Sequence, residues 1–153
     1  MQAGRRVALD VGTVRVGVAA SDFHSILASG LATVARRETV EETADAILAE
    51  VTEVEPVIIY VGLPIALSGR ETASTEDAKQ VAQALQSRTS IPVRMIDERL
   101  TTVSAASALR SSNKSSKAGR QIIDQIAATV ILEQAMASEK KLESWAGVSI
   151  DEI

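Results

Sequence analysis

The chain has 153 residues, no Cys, one His and a formal charge of −4, with Lys+Arg 16 against Asp+Glu 20. That length suits one domain, and 46% hydrophobic residues supply a core. The absence of Cys excludes a disulfide scaffold, an iron–sulfur cluster and a thiol nucleophile, and a single His excludes a His-rich metal site.

Val7 to Val11 is expected as a buried strand and Val14 to Ala20 as a second, with Gly12-Thr13 as the hairpin turn between them. Ile26 to Val34 is a candidate third antiparallel strand. Thr39 to Glu53 carries Val40, Ala44, Ile47, Leu48 and Val51 at helical spacing. Thr39 is a candidate N-cap with Glu42 at N3. Val57 to Val61 is a continuous apolar run, the pattern of a central strand covered on both faces. A loop from Gly62 to Gly69 follows, broken by Pro64, and then Glu71 to Arg88, helical in its second half. Ile91 to Ile96 is another strand and Leu100 to Leu109 a short helix. Ser111 to Ser116 is polar. Ala118 to Ala137 is a long helix, and the charged tail from Ser138 is expected to fray. The order β-β-β-α-β-α-β-α-α implies one α/β domain over residues 1–137, with a charged tail over 138–153. It is a mixed sheet, antiparallel in its first three strands, with helices on both faces.

Aromatic residues are too few for base-stacking platforms, only Phe23, Tyr60 and Trp145. No run of about 18 apolar residues marks a membrane span. The short Val7-Ala8-Leu9 stretch, broken by Asp10, does not make a signal peptide, so the expected location is the cytoplasm. Charge is unevenly placed. Glu38 to Glu55 holds seven acids and no Lys or Arg, whereas Arg110 to Arg120 holds four bases and no acid. The second stretch makes Lys114, Lys117 and Arg120 candidate phosphate contacts.

Three sets of carboxylates stand where a buried or functional position is expected. Asp10 ends the first strand and shares a strand face with Ala8, a costly place for a charge unless something positive compensates it. Its alternative is a turn Asp bonded to its own backbone. Asp97 and Glu98 close a strand at its carboxyl end, where open α/β sheets place their sites. Successive side chains point to opposite faces, so one of the two is expected to share a site with Asp10 and the other to cap the following helix. Asp124 lies in an apolar stripe with Ala127, Ala128, Ile131 and Ala135; its alternative is a pair with Arg120 one turn earlier. Together the acids form a set of oxygen donors suited to Mg²⁺ or Mn²⁺, and two such ions would support phosphodiester hydrolysis without His or Cys.

Leu9-Asp10-Val11-Gly12-Thr13-Val14-Arg15-Val16-Gly17-Val18-Ala19, Val61-Gly62-Leu63-Pro64, Asp97-Glu98-Arg99-Leu100-Thr101-Thr102 and Ile123-Asp124 together resemble the YqgF/RuvX family. Its members are Holliday-junction-resolvase-like proteins described as candidate pre-16S rRNA nucleases. The resemblance runs from about Val7 to Leu132. It implies an RNase H-like fold and a metal-dependent nuclease that trims the 5′ end of the small-subunit ribosomal RNA precursor in the bacterial cytoplasm. The implied metal-binding and catalytic carboxylates are Asp10, Glu98 and Asp124, with Asp97 an adjoining candidate. Arg15 and Arg99 match basic motif positions and are implied phosphate contacts. Structured RNA within a ribosome precursor is the implied partner. Branched DNA is the alternative substrate, and a non-catalytic RNA-binding assembly factor is the alternative class. An actin-like ATP-binding domain shares the Asp-x-Gly-Thr element, but that fold needs a much longer chain.

Overall fold

A computed structural model of the protein describes residues 2–100 and 117–152. Its strands are β1 (Arg6–Val11), β2 (Arg15–Ser21), β3 (Ala28–Ala35), β4 (Ile58–Leu63), β5 (Val93–Asp97) and β6 (Val148–Ser149). Its helices are α1 (Val40–Val51), α2 (Ala73–Gln86) and α3 (Lys117–Leu142). The strands make one sheet in the order β3-β2-β1-β4-β5-β6. β1, β2 and β3 pair antiparallel, β1, β4 and β5 pair parallel, and β6 returns antiparallel to β5.

The two faces of this sheet differ in side-chain size, and that difference decides what packs on each. Val7, Leu9, Val16, Val18, Ile59 and Val61 fill one face beneath α1 and α2, with Ala44, Ile47, Val81 and Leu85 above them. The other face carries Ala8, Ala19 and Gly17 in its central strands. These small residues let α3 approach closely through Ala127, Ala128, Ile131 and Ala135, all fully buried. β4 is buried along its whole length, as its unbroken apolar run requires.

The Thr39 cap acts as expected, whereas α2 begins at Ala73, earlier than the second half of Glu71–Arg88 that the pattern suggested. Thr39 caps α1, its Oγ1 accepting the Glu42 N–H at 3.1 Å. Thr72 and Thr75 form a reciprocal cap at the start of α2, and the Thr75 hydroxyl also donates to the Pro64 carbonyl. β3 begins at Ala28 instead of Ile26, because Asp22 Oδ1 accepts the N–H groups of Ile26 (2.7 Å) and Leu27 (2.9 Å) and holds them in a turn. The expected helix from Leu100 to Leu109 lies outside the described residues past Leu100.

The frayed tail is overturned. α3 continues to Leu142, β6 then adds to the sheet edge, and Ala146 and Ile150 are buried. Arg6 is the reason. Its guanidinium, enclosed at the start of β1, donates from Nε and Nη2 to Glu139 Oε1 at 3.1 and 2.9 Å. It also lies 5.0 Å from the Trp145 ring centroid. The Tyr60 hydroxyl donates to Glu139 Oε2 (2.6 Å) and accepts the Ala146 N–H (3.1 Å). A buried charge needs partners, and the chain after Ser138 supplies them.

Candidate functional site

The sheet brings three of the acids to one end and one face. Asp10 is directly opposite Gly17 in the β1–β2 ladder, so the two project to the same side. That side is the α3 side, because a Cβ placed on Gly17 would fall 2.0 Å from the Asp124 carbonyl oxygen. Asp124 lies in the stripe of α3 that faces the sheet and is only 4% exposed; Asp10 is 9% exposed. Ile96 packs in the α3-side core, and two residues later Glu98 returns to that face. A Cβ on Gly62 would sit 3.0 Å from Glu98 Oε1 and 2.6 Å from Ile131 Cδ1. Gly62 stands one residue beyond the Leu9–Val61 pair, as Asp10 does. Gly17 and Gly62 therefore make a floor without side chains, and the space that two Cβ atoms would fill is taken by the acids and α3.

Asp97 takes the other role. It pairs in register with Leu63, whose side chain belongs to the opposite core. Its Oδ1 accepts the Arg99 N–H at 2.9 Å, capping the short 3-10 turn Glu98–Leu100, and Arg99 Nη2 meets Oδ2 at 2.6 Å. The Arg99 guanidinium holds the Asp97 carboxyl below the usual carboxylate range, against the opposing effect of burial. Of the two adjacent acids, Asp97 caps the turn and Glu98 reaches the face of Asp10, an assignment the sequence had left open.

Arg15 is the positive partner near Asp124. Its Nε meets Asp124 Oδ2 at 2.6 Å, both side chains being largely enclosed. That bond comes from the start of β2, 109 residues away; the side chain of Arg120, the partner the sequence offered one turn earlier, lies outside the described residues. Both arginines implied as phosphate contacts thus hold carboxylates here. Lys114 lies outside the described residues. Lys117 and Arg120 fall in the first turn of α3, and their side chains lie outside the description.

The donor chemistry of Asp10, Glu98 and Asp124 is all carboxylate oxygen, which hard divalent cations take. Among the described residues no group of three or more Asp, Glu or His side chains stands close enough to hold an ion. Arg15 engages Asp124 instead. The all-carboxylate donor set, the shared face and the glycine floor fit a cation, and one of the three acids, Asp124, is paired with Arg15.

A mixed sheet with the first three strands antiparallel, a helix layer on each face and an acid, Asp10, at the end of β1 makes the fold RNase H-like. The profile of the RuvX family, described as Holliday junction resolvase, matches residues 4–138, and the chain belongs to that family. A relative from Leifsonia xyli subsp. xyli is 51% identical over 92% of this chain and 90% of its own length. Another, from Clavibacter michiganensis subsp. michiganensis, is 45% identical over 98% and 93%. Both carry the name of a candidate pre-16S rRNA nuclease. The fold is similar to that of T. thermophilus RuvC in a complex with Holliday junction substrate. The TM-score is 0.57 at 14% identity, over 95% of this chain and 99% of that one. The chain is therefore a member of a nuclease family. No helix among the described residues is long and apolar enough to cross a membrane.

The sequence reading missed Gly17 and Gly62 as site elements, although glycine inside a strand signals close approach by another group. It also missed Arg36, whose Nη1 donates to the Gly12 carbonyl at 2.9 Å. Nothing in its local pattern distinguishes Arg36 from its surface neighbour Arg37.

Proposed function

We propose that this protein is a divalent-metal-dependent endonuclease acting on structured RNA in the bacterial cytoplasm. The 5′ end of pre-16S rRNA within a ribosome precursor is its substrate. The observation that carries the reading is the gathering of Asp10, Glu98 and Asp124 at one end and one face of the sheet, over a floor of two glycines. Asp10, Glu98 and Asp124 are the residues that would hold Mg²⁺ or Mn²⁺, two ions if the full hydrolytic arrangement forms. Bound there, the metal supplies an activated water at neutral pH and neutralises charge on the leaving oxygen.

The chain's own residues do the rest. Asp10 stands on a central strand and is the most rigidly placed donor. Glu98 is carried by the turn that Asp97 caps, so Asp97 acts through Glu98 and is not itself a ligand. Arg15 pairs with Asp124 and stands at the acid site, where it would meet a phosphate of the substrate. Arg99, held by Asp97, would contact a phosphate beside the β4–α2 loop, where its Nη1 lies 3.4 Å from the Cβ position at Gly69. Lys114, Lys117 and Arg120 complete the phosphate-binding set.

A branched DNA substrate is the second reading, favoured by the family description and by the RuvC-like fold. One experiment separates the alternatives. Purified protein is incubated with a pre-16S rRNA fragment or a four-way DNA junction, with Mg²⁺, Mn²⁺ or chelator, and the products are mapped. Cleavage of the RNA with metal alone is expected. Asp10→Asn is expected to keep the fold and nucleic-acid binding while lowering turnover by several orders of magnitude. Cleavage confined to the junction moves the assignment to DNA. Binding without cleavage by the unaltered protein makes it an assembly factor.

A further inference from the structure

The turn between β1 and β2 is gripped from the face opposite α3. Arg36, just past β3, donates its main-chain N–H to the Val14 carbonyl at 2.9 Å and its Nη1 to the Gly12 carbonyl at 2.9 Å. The same guanidinium forks onto Asp77 of α2, with Nη1–Oδ2 2.7 Å and Nη2–Oδ1 3.0 Å. Gly12 in turn donates its N–H to the Arg15 carbonyl at 2.9 Å, and Arg15 holds Asp124. A Cβ on Gly12 would lie 2.7 Å from that same carbonyl, so the turn has no slack at this point. A single line of contacts runs from α2 on one face, around the sheet end, to α3 on the other.

The orientation of the Arg36 fork is itself informative. Its Nε is the buried side-chain polar atom among the described residues that lacks a hydrogen-bond partner. Leaving a buried donor unmade is unfavourable, so the contacts to Gly12 and Asp77 outweigh it. Both side chains are largely enclosed, and a forked Arg–carboxylate pair fixes direction as well as distance.

We propose that Arg36 and Asp77 form a positioning pair for the acidic site. They set the turn 12–14, and through it the place of Arg15 and Asp124 relative to Asp10. The pair would then influence how readily Asp124 exchanges Arg15 for a cation, although Asp77 belongs to the helix layer on the far side of the sheet. The inference rests on the metal-site reading above and adds two residues to it.

The test is Mn²⁺ uptake by the metal-free protein, read from the free-ion electron paramagnetic resonance signal, with thermal unfolding measured in parallel. Asp77→Asn and Arg36→Lys are each expected to weaken Mn²⁺ affinity about tenfold, the scale seen when the supports of metal ligands are removed. Lys keeps the charge and the main-chain bond to Val14 but cannot fork. Combining the two substitutions is expected to add little beyond the larger single effect, since either one breaks the same link. Asp45→Asn, which breaks the exposed pair between Asp45 of α1 and Arg88 just past α2, serves as the control and leaves affinity unchanged. If Asp77→Asn does not fold, Arg36→Lys carries the comparison alone. Unaltered affinity in a variant that merely unfolds at lower temperature overturns the proposal, because the pair is then a brace. An unsubstituted protein that takes up no Mn²⁺ overturns both this proposal and the metal site itself.

Discussion

Gly17 and Gly62 illustrate how one missing methyl group serves two purposes. At Gly17 the atom a Cβ would meet is main chain, the Asp124 carbonyl at 2.0 Å, which cannot yield without moving α3. At Gly62 the nearest atoms are the ends of side chains, Ile131 Cδ1 and Glu98 Oε1. Gly17→Ala is therefore expected to destabilise the fold by about 1–3 kcal/mol or more, seen as a lowered unfolding temperature. Gly62→Ala is expected to fold nearly normally but displace Glu98, lowering metal-dependent cleavage at unchanged secondary structure by circular dichroism. Asp97 allows a separate check by pH. Its folded-state carboxyl titrates lower than an unfolded Asp, near 3.9. Its contribution to stability is thus present above about pH 4 and is lost as pH falls through the lower folded value. The unfolding temperatures of the unsubstituted protein and Asp97→Asn should differ at pH 6 and converge toward pH 2–3. A gap that widens on acidification would contradict the assigned pairing.

At the scale of elements, α3 ties together the two ends of the chain. Its N-terminal half carries Asp124 over Gly17, and its C-terminal half carries Glu139 to Arg6 and Tyr60. Burial of the Tyr60 hydroxyl, together with its bond to Glu139, pushes its pKa far above the ordinary range, so it stays a neutral donor. Removing one member of such a network leaves a charge without its partner. Arg6→Met is expected to lower stability by about 3–5 kcal/mol, measured by denaturant unfolding. Arg6→Met combined with Glu139→Leu should recover part of that loss, since no buried charge then remains. Equal losses in the single and double variants would mean that packing, not charge, governs this end. The expectation of a frayed tail failed at this scale because a charged segment was read as solvated, whereas Glu139 is 3% exposed.

Across the whole molecule, the uneven charge of the sequence acquires a direction. The exposed acids Glu41, Glu42, Asp45 and Glu50 lie on α1, in the layer opposite α3. These four acids therefore stand on the far side of the sheet from the acid site. A polyanionic substrate approaching the α3 face meets them across the body of the protein, beyond a Debye length of about 8–10 Å at physiological salt. A formal charge of −4 is thus compatible with a nucleic-acid substrate.

The sequence by itself determined what depends on near neighbours along the chain. The order of the first five strands and of the helices between them, the Thr39 cap and the two-sided burial of β4 follow from periodicity and capping, and the cost of charge in an apolar stretch singled out Asp10 and Asp124 as candidates. That Asp97 and Glu98 face opposite ways was equally legible from their place at a strand end, although Glu98 itself opens the 3-10 turn. Which of the two faced Asp10 was decided only when Ile96 packed beneath α3. Arg15 holding Asp124, Arg36 reaching Gly12 and Asp77, and Arg6 enclosing Glu139 likewise belong to the tertiary structure alone. These partners are 109, 24, 41 and 133 residues apart in turn. Arginine reads the same in the sequence whether it ends in water or in a carboxylate; only the folded sheet, by bringing distant positions within 3 Å, assigns each one its counter-charge.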